Sequence, residues 1–147
     1  MPREGSLGID YAHQLARFYI GALHFWKNGL AVPHYTARLC GGIPFFADPQ
    51  SMYYSLPQFL SFFIDPFLAT LATLSVFYVV GYLGCLRLLR DCFTLGDHIS
   101  HLGALMFVAN GFVFAHLLVG HVTHHSYLLL PCILYLLFMP HTLRRGA

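Results

Sequence analysis

Phe67 to Leu86 is a run of twenty residues without a formal charge, the length a helix needs to cross roughly 30 Å of hydrocarbon. It closes on Arg87 and Arg90, and a short polar link, Asp91 to His98, follows. A second apolar stretch, Ile99 to Gly120, is interrupted by His101, Asn110 and His116, polar groups that should face protein or a cavity. The third, Ser126 to Met139, contains Pro131 and is too short to span by itself; extended to about residues 122–141 it suffices, with Arg144 and Arg145 beyond. Composition agrees, since 57% of the chain is hydrophobic and 10% charged, against about 25% charged in an average globular chain. The expected fold class is all-α: a polytopic transmembrane helical protein of about three spans (67–86, 99–120, about 122–141), with amphipathic interfacial helices and an aromatic, Pro- and Gly-rich outer loop. Residues 1–66 form the outer-face region and 67–147 the membrane region. A net charge of +2 lacks the basic face of an electrostatic nucleic-acid binder, and the aromatic content excludes disorder.

Ahead of the first span, Tyr11, Leu15, Phe18, Ala22, Phe25 and Trp26 recur at steps of three and four, with His13, Gln14, Arg17, His24 and Lys27 between them. This is the pattern of an amphipathic helix. Gly29 is its expected stop, and Trp26 with Lys27 suits the headgroup level of a membrane. Leu30 to Gln50 is irregular, holding Pro33, Gly41, Gly42, Pro44 and Pro49 with aromatic residues interleaved, and a loop of that length usually carries function. Within Ser51 to Ile64 a second short interfacial helix is expected, with Pro57 near its start. Cys85 and Cys92 stand about 10 Å apart along one helix, too far for a disulfide. All four cysteines, including Cys40 and Cys132, are expected to be free thiols.

Arg87, Arg90, Arg144 and Arg145 fall on one side of the spans, which the positive-inside rule makes cytoplasmic. The C-terminus is then cytoplasmic and the N-terminal loop outside, in the plasma membrane. Met1 to Asp10 lacks the apolar core of a secretory signal. A leading membrane helix upstream is therefore expected, with the chain a piece of a larger enzyme.

Among residues able to do chemistry, Asp10 heads the amphipathic helix, where a carboxylate serves as helix cap, general base or metal ligand. Asp48 lies in the irregular loop, and Asp65 before Pro66 reads as a helix boundary. His121, His124 and His125 form an H-x-x-H-H run of the kind that binds iron in membrane oxidases, which would need His13, His24 or His34 to complete a site. His98 and His101 lie at the opposite end of a span. His101 and His116 find no partner histidine at matching depth, so the chain alone does not ligate haem in the bis-histidine manner. No G-x-S-x-G, phosphate-binding loop, dinucleotide fingerprint or zinc C-x-x-C pair occurs.

Several segments together resemble a known family. They are Gly8 to Asp10 with the following helix, Pro33-His34-Tyr35-Thr36, Cys40-Gly41-Gly42-Ile43-Pro44, and Ala47-Asp48-Pro49-Gln50 followed by Tyr53 and Tyr54. These look like the first outer loop of polytopic membrane glycosyltransferases of the C fold class, in particular their large bacterial and archaeal members. Asn110-Gly111-Phe112 through Gly120-His121 to Pro131 resembles two of their later membrane helices. The resemblance implies transfer of a sugar from a polyprenyl-phosphate donor to an acceptor at the outer face. It also implies Asp10 and Asp48 as catalytic carboxylates, and His34, Tyr35, Gly41, Gly42, Gln50 and His121 as substrate-binding residues. Partners are then the lipid-linked donor, the bilayer and the remaining helices of a larger protein, without nucleic acid. The chain departs from the family where Gly120 to Ser126 offers histidines in place of an acidic residue, which leaves the cofactor, a divalent metal or none, unassigned. As a piece it is expected to lack transferase activity by itself. The competing readings are a His-box di-iron oxidase or hydroxylase, and a non-catalytic integral membrane subunit.

Overall fold

The computed structural model describes residues 8–48 and 50–145. Pro49 of the loop motif, Arg3, Glu4 and the side chains of Arg144 and Arg145 lie outside the described set. The described chain is all-α, in the order α1 (Ile9–Asn28), α2 (Leu56–Leu60), α3 (Pro66–Arg87), a π-helical turn (Leu88–Cys92), α4 (Asp97–Val108), α5 (Gly111–Val119), a 3-10 helix (Val122–Leu129) and α6 (Leu130–Arg145). Among the described residues the only β feature is an isolated antiparallel bridge between Thr36 and Ile43. Three stretches, Pro66–Cys92, Asp97–Val119 and Val122–Met139, are long and apolar enough to cross a membrane. The chain is an all-α polytopic helical protein.

Two compact units divide it: Met1–Thr73 with Leu118–Thr123, and Leu74–Leu117 with His124–Ala147. In the first unit α1 stops at Gly29, whose φ of +64° and N–H bond to the Phe25 carbonyl end the helix as its sequence predicts. One face of α1 buries Phe18 and Ala22, and Ala22 packs with Phe45, Tyr53 and Phe62. The Phe25 and Phe62 rings stack at 4.0 Å, and the Trp26 indole N–H donates to the Phe62 carbonyl at 3.2 Å. Gln58, fully buried on α2, spends its amide on the Phe18 carbonyl and the Ser61 hydroxyl, which meets the cost of burying it. Tyr19, Trp26 and Phe63 remain largely exposed, the state of rings placed for a membrane interface.

The expected interfacial helix shrinks to α2, started by Ser55 with Pro57 in its first turn. Asp65 caps α3 by accepting the N–H groups of Phe67 and Leu68, so it is a helix boundary as expected. The irregular loop closes on itself: Thr36 and Ile43 exchange backbone hydrogen bonds of 2.9 and 3.0 Å across a turn made by Cys40, Gly41 and Gly42, all at positive φ. Gly42 sits at φ +126°, with the Tyr35 hydroxyl where a Cβ would stand. Gly42→Ala therefore strains the turn and displaces Tyr35; the expected loss is about 1–3 kcal/mol of unfolding free energy, measurable by denaturant titration in detergent.

In the second unit Gly81 and Gly84 of α3 face Leu128 and Cys132, and a Cβ on Gly81 would come within 2.5 Å of the Leu128 carbonyl oxygen. Small residues at such a contact let helix backbones approach. Leu74, Val113 and Leu128 form one core and Cys85, Leu86 and Ala104 another. At the arginine-bearing end, His101 meets the Tyr82 hydroxyl at 2.6 Å and Arg90 at 3.2 Å, and Arg90 pairs with Asp97 at 3.0 Å. All four cysteines are free, as expected.

The second and third spans appear with added local detail. The second span is not one helix: α4 ends at Val108, and Asn110 restarts the helix by accepting the Val113 N–H at 3.1 Å. Asn110, expected to face protein or a cavity, faces protein: its side chain meets the Phe107 carbonyl and caps the restarted helix inside the span. Gly120 makes a turn followed directly by the 3-10 helix, which places His124 and His125 within the third helical stretch, as the expected span of about residues 122–141 has it. Pro131 stands in the first turn of α6, just after the 3-10 helix passes into it.

Candidate functional site

Helix α1 begins where two glycines permit a close approach. A Cβ on Gly120, at φ +101°, would lie 2.5 Å from the Tyr11 nitrogen, and one on Gly8 would strike the Val119 carbonyl. Val122, fully buried against Tyr11 and Phe18, fixes the approach from the next turn. The result brings Asp10 and His121 together: Asp10 Oδ2 lies 2.6 Å from His121 Nε2, with the side chains 39% and 42% exposed. Asp10 is not the helix cap, a position held by Gly8. Its second oxygen, Oδ1, has no partner among the described residues. The pair is an oriented carboxylate that a solvent-borne hydroxyl can reach.

Asp48 is arranged differently. Arg17, two turns along α1 from Asp10, is only 7% exposed and holds Asp48 Oδ2 through Nη2 at 2.8 Å. Its Nε donates to His13 Nε2 at 3.0 Å, while Asp48 Oδ1 accepts the Gln50 N–H at 2.8 Å. The hydrogen bond from Arg17 holds the Asp48 carboxyl below the usual carboxylate range, against the opposing push of burial, with the Gln50 amide adding to it. Both oxygens are committed and basicity is reduced. Asp48 closes the loop onto α1 and is poorly suited to take a proton.

The sequence candidates therefore separate along the helix. Asp10 and His121 meet at its start, Asp48 and Gln50 sit at Arg17, and Tyr35 with the Gly41–Gly42 turn belongs to its far end, where Tyr35 lines a cavity with Lys27. His34 is exposed and contributes backbone to the turn, its N–H bonding the Val32 carbonyl and its carbonyl accepting the Phe45 N–H. Among the described residues none of His13, His24 and His34 joins a cluster of three possible metal ligands. His24 is spent on the Ala31 carbonyl and Asn28. In the second unit the His116 and His124 rings stack at 4.0 Å, 2° from parallel, with Phe112 edge-on to both. His125 is buried beside them in sequence, both ring nitrogens unpartnered.

Sequence reasoning missed Arg17, placing it among the polar residues of the solvent side. The available signal was its spacing, since Gln14, Arg17 and Phe18 share one helical face and all three are buried. Comparison of the chain with known protein families, with curated proteins and with solved structures finds no match. The assignment of its chemistry rests on its own residues.

Proposed function

We propose that the chain forms the outer-face catalytic part of a membrane glycosyltransferase in the plasma membrane, transferring a sugar from a polyprenyl-phosphate donor to an acceptor hydroxyl. The observation that carries this reading is the 2.6 Å contact between Asp10 and His121, which joins the two segments whose resemblance to that class is described above. In the proposed step the acceptor hydroxyl gives its proton to Asp10 Oδ1, and its oxygen bonds to the anomeric carbon. The bond from that carbon to the lipid-phosphate oxygen breaks, and the lipid phosphate leaves with the electron pair. The His121 N–H, donated to Oδ2, fixes the carboxylate's direction. Asp48 has no part in the proton transfer and holds the loop in place through Arg17.

The reading sets the arginines at the ends of α3 and α6 on the cytoplasmic side and the region before α3 outside. Membranes from cells expressing a full-length version that includes the expected remaining helices, supplied with a labelled polyprenyl-phosphate sugar, should form labelled product that Asp10→Asn abolishes and Asp48→Asn spares at permissive temperature. A non-catalytic membrane subunit would show the same labelling with either variant, and that result would remove the proposal.

A further inference from the structure

Two cavities of the first unit meet at shared residues. The polar one, about 120 Å³, is lined by His24, Lys27, Asn28, Tyr35, Thr36 and Arg38, with no carboxylate in its wall. The apolar one, about 380 Å³, runs past Leu15, Tyr19 and Leu39 to Phe67. Ile20 and Arg38 line both. Neither the Lys27 ammonium nor the Arg38 guanidinium has a partner among the described residues. The single carboxylate along the apolar groove, Asp65, is occupied in capping α3.

We infer that this composite cavity is a binding site for an anionic membrane phospholipid, with its phosphate between Lys27 and Arg38 and an acyl chain in the groove. Charge selects the head: Lys27 and Arg38, two cations without a counter-ion among the described residues, line one small space with no carboxylate in its wall, an arrangement that favours a phosphate. Position selects the tail. The groove ends at Pro66 and Phe67, the first residues of the first span, which is the level at which hydrocarbon begins, so the remainder of the chain continues into the bilayer. Exposed Tyr19 and Trp26 on the same helix belong at that level too.

The site is separate from the proposed sugar donor's. Lys27 is seventeen residues from Asp10 along α1, about 26 Å at 1.5 Å per residue, whereas a donor phosphate must lie within bonding reach of the acceptor that Asp10 deprotonates. The inference therefore stands whether or not the chain transfers sugar.

The test uses the purified chain reconstituted in nanodiscs of phosphatidylcholine with a minority of phosphatidylglycerol, and native mass spectrometry of the lipid retained on extraction. Phosphatidylglycerol should be retained in preference to phosphatidylcholine. The double variant Lys27→Gln/Arg38→Gln should lower that preference at least roughly tenfold, since each charge-assisted contact is lost, while Lys27→Arg/Arg38→Lys restores it. Both positions are exposed, so folding is retained, checked by an unchanged unfolding midpoint. Glycerol 3-phosphate, a headgroup without chains, should not displace the lipid. Equal retention of the two lipids, an unchanged preference in the double variant, displacement by glycerol 3-phosphate, or selective retention of polyprenyl phosphate added in competition would each overturn the inference. Asp10→Asn should leave lipid retention unchanged and remove only sugar transfer, so failure here and failure of the proposed function are told apart.

Discussion

Asp10→Asn is expected to lower the rate of sugar transfer by about 10²–10⁴-fold, the usual contribution of a positioned general base, without moving the unfolding midpoint. Asparagine keeps the shape of aspartate and can still accept the His121 N–H, but its amide cannot accept a proton at neutral pH. The loss should fall on kcat, because in the proposed step the carboxylate acts on the hydroxyl in the transition state and contributes little to holding the donor. His121→Ala should cost less, roughly ten- to a hundredfold, since it removes one charge-assisted hydrogen bond that aims the carboxylate. The measurement is initial rate against donor and acceptor concentration in membranes carrying each variant. Undiminished kcat in Asp10→Asn would take the proton-accepting role away from this residue.

The largest stability effect is expected at the Arg17–Asp48 pair, whose side chains are only 9% and 19% exposed. Asp48→Ala leaves the Arg17 guanidinium buried beside an already unpartnered Nη1, and about 3–5 kcal/mol should be lost. The double replacement Arg17→Met/Asp48→Leu removes both charges and should recover most of that, because no ion is left stranded. Acid should reproduce part of the effect. The Asp48 carboxyl is depressed in the folded chain, so its contribution is complete above the ordinary aspartate range, about pH 4, and fades as pH falls through the lower folded value. Unfolding titrations of the wild type and Asp48→Ala from pH 7 to pH 3 should converge at the acid end; curves that stay parallel throughout would show that the pair contributes nothing through ionisation.

The spans were legible because apolar length is a one-dimensional property: Phe67 to Leu86 reappears within Pro66–Cys92, and Gly29 and Asp65 mark their boundaries by local chemistry. What the sequence hid depended on distant partners or on a single local competition. Arg17 looks like a solvent-facing cation until Asp48, reached only through the folded loop, is placed against it. Asn110 was legible as a polar group that must face protein or a cavity, but its role as a cap shows only in its bond from the Val113 N–H. Of the H-x-x-H-H run, His121 meets Asp10, a partner that no spacing along the chain reveals. Asp10 and Asp48 were equal candidates by sequence, and only the hydrogen bonds on each carboxylate distinguish them.

The contact between Gly8, Tyr11 and the turn at Gly120 also has a meaning for biogenesis. Asp10 can meet His121 only once the chain between them, which holds two of the three stretches able to span a membrane, has folded back. A chain in which that return fails leaves Asp10 without its imidazole. On the proposed reading, the carboxylate is aimed for its reaction only in a correctly inserted chain.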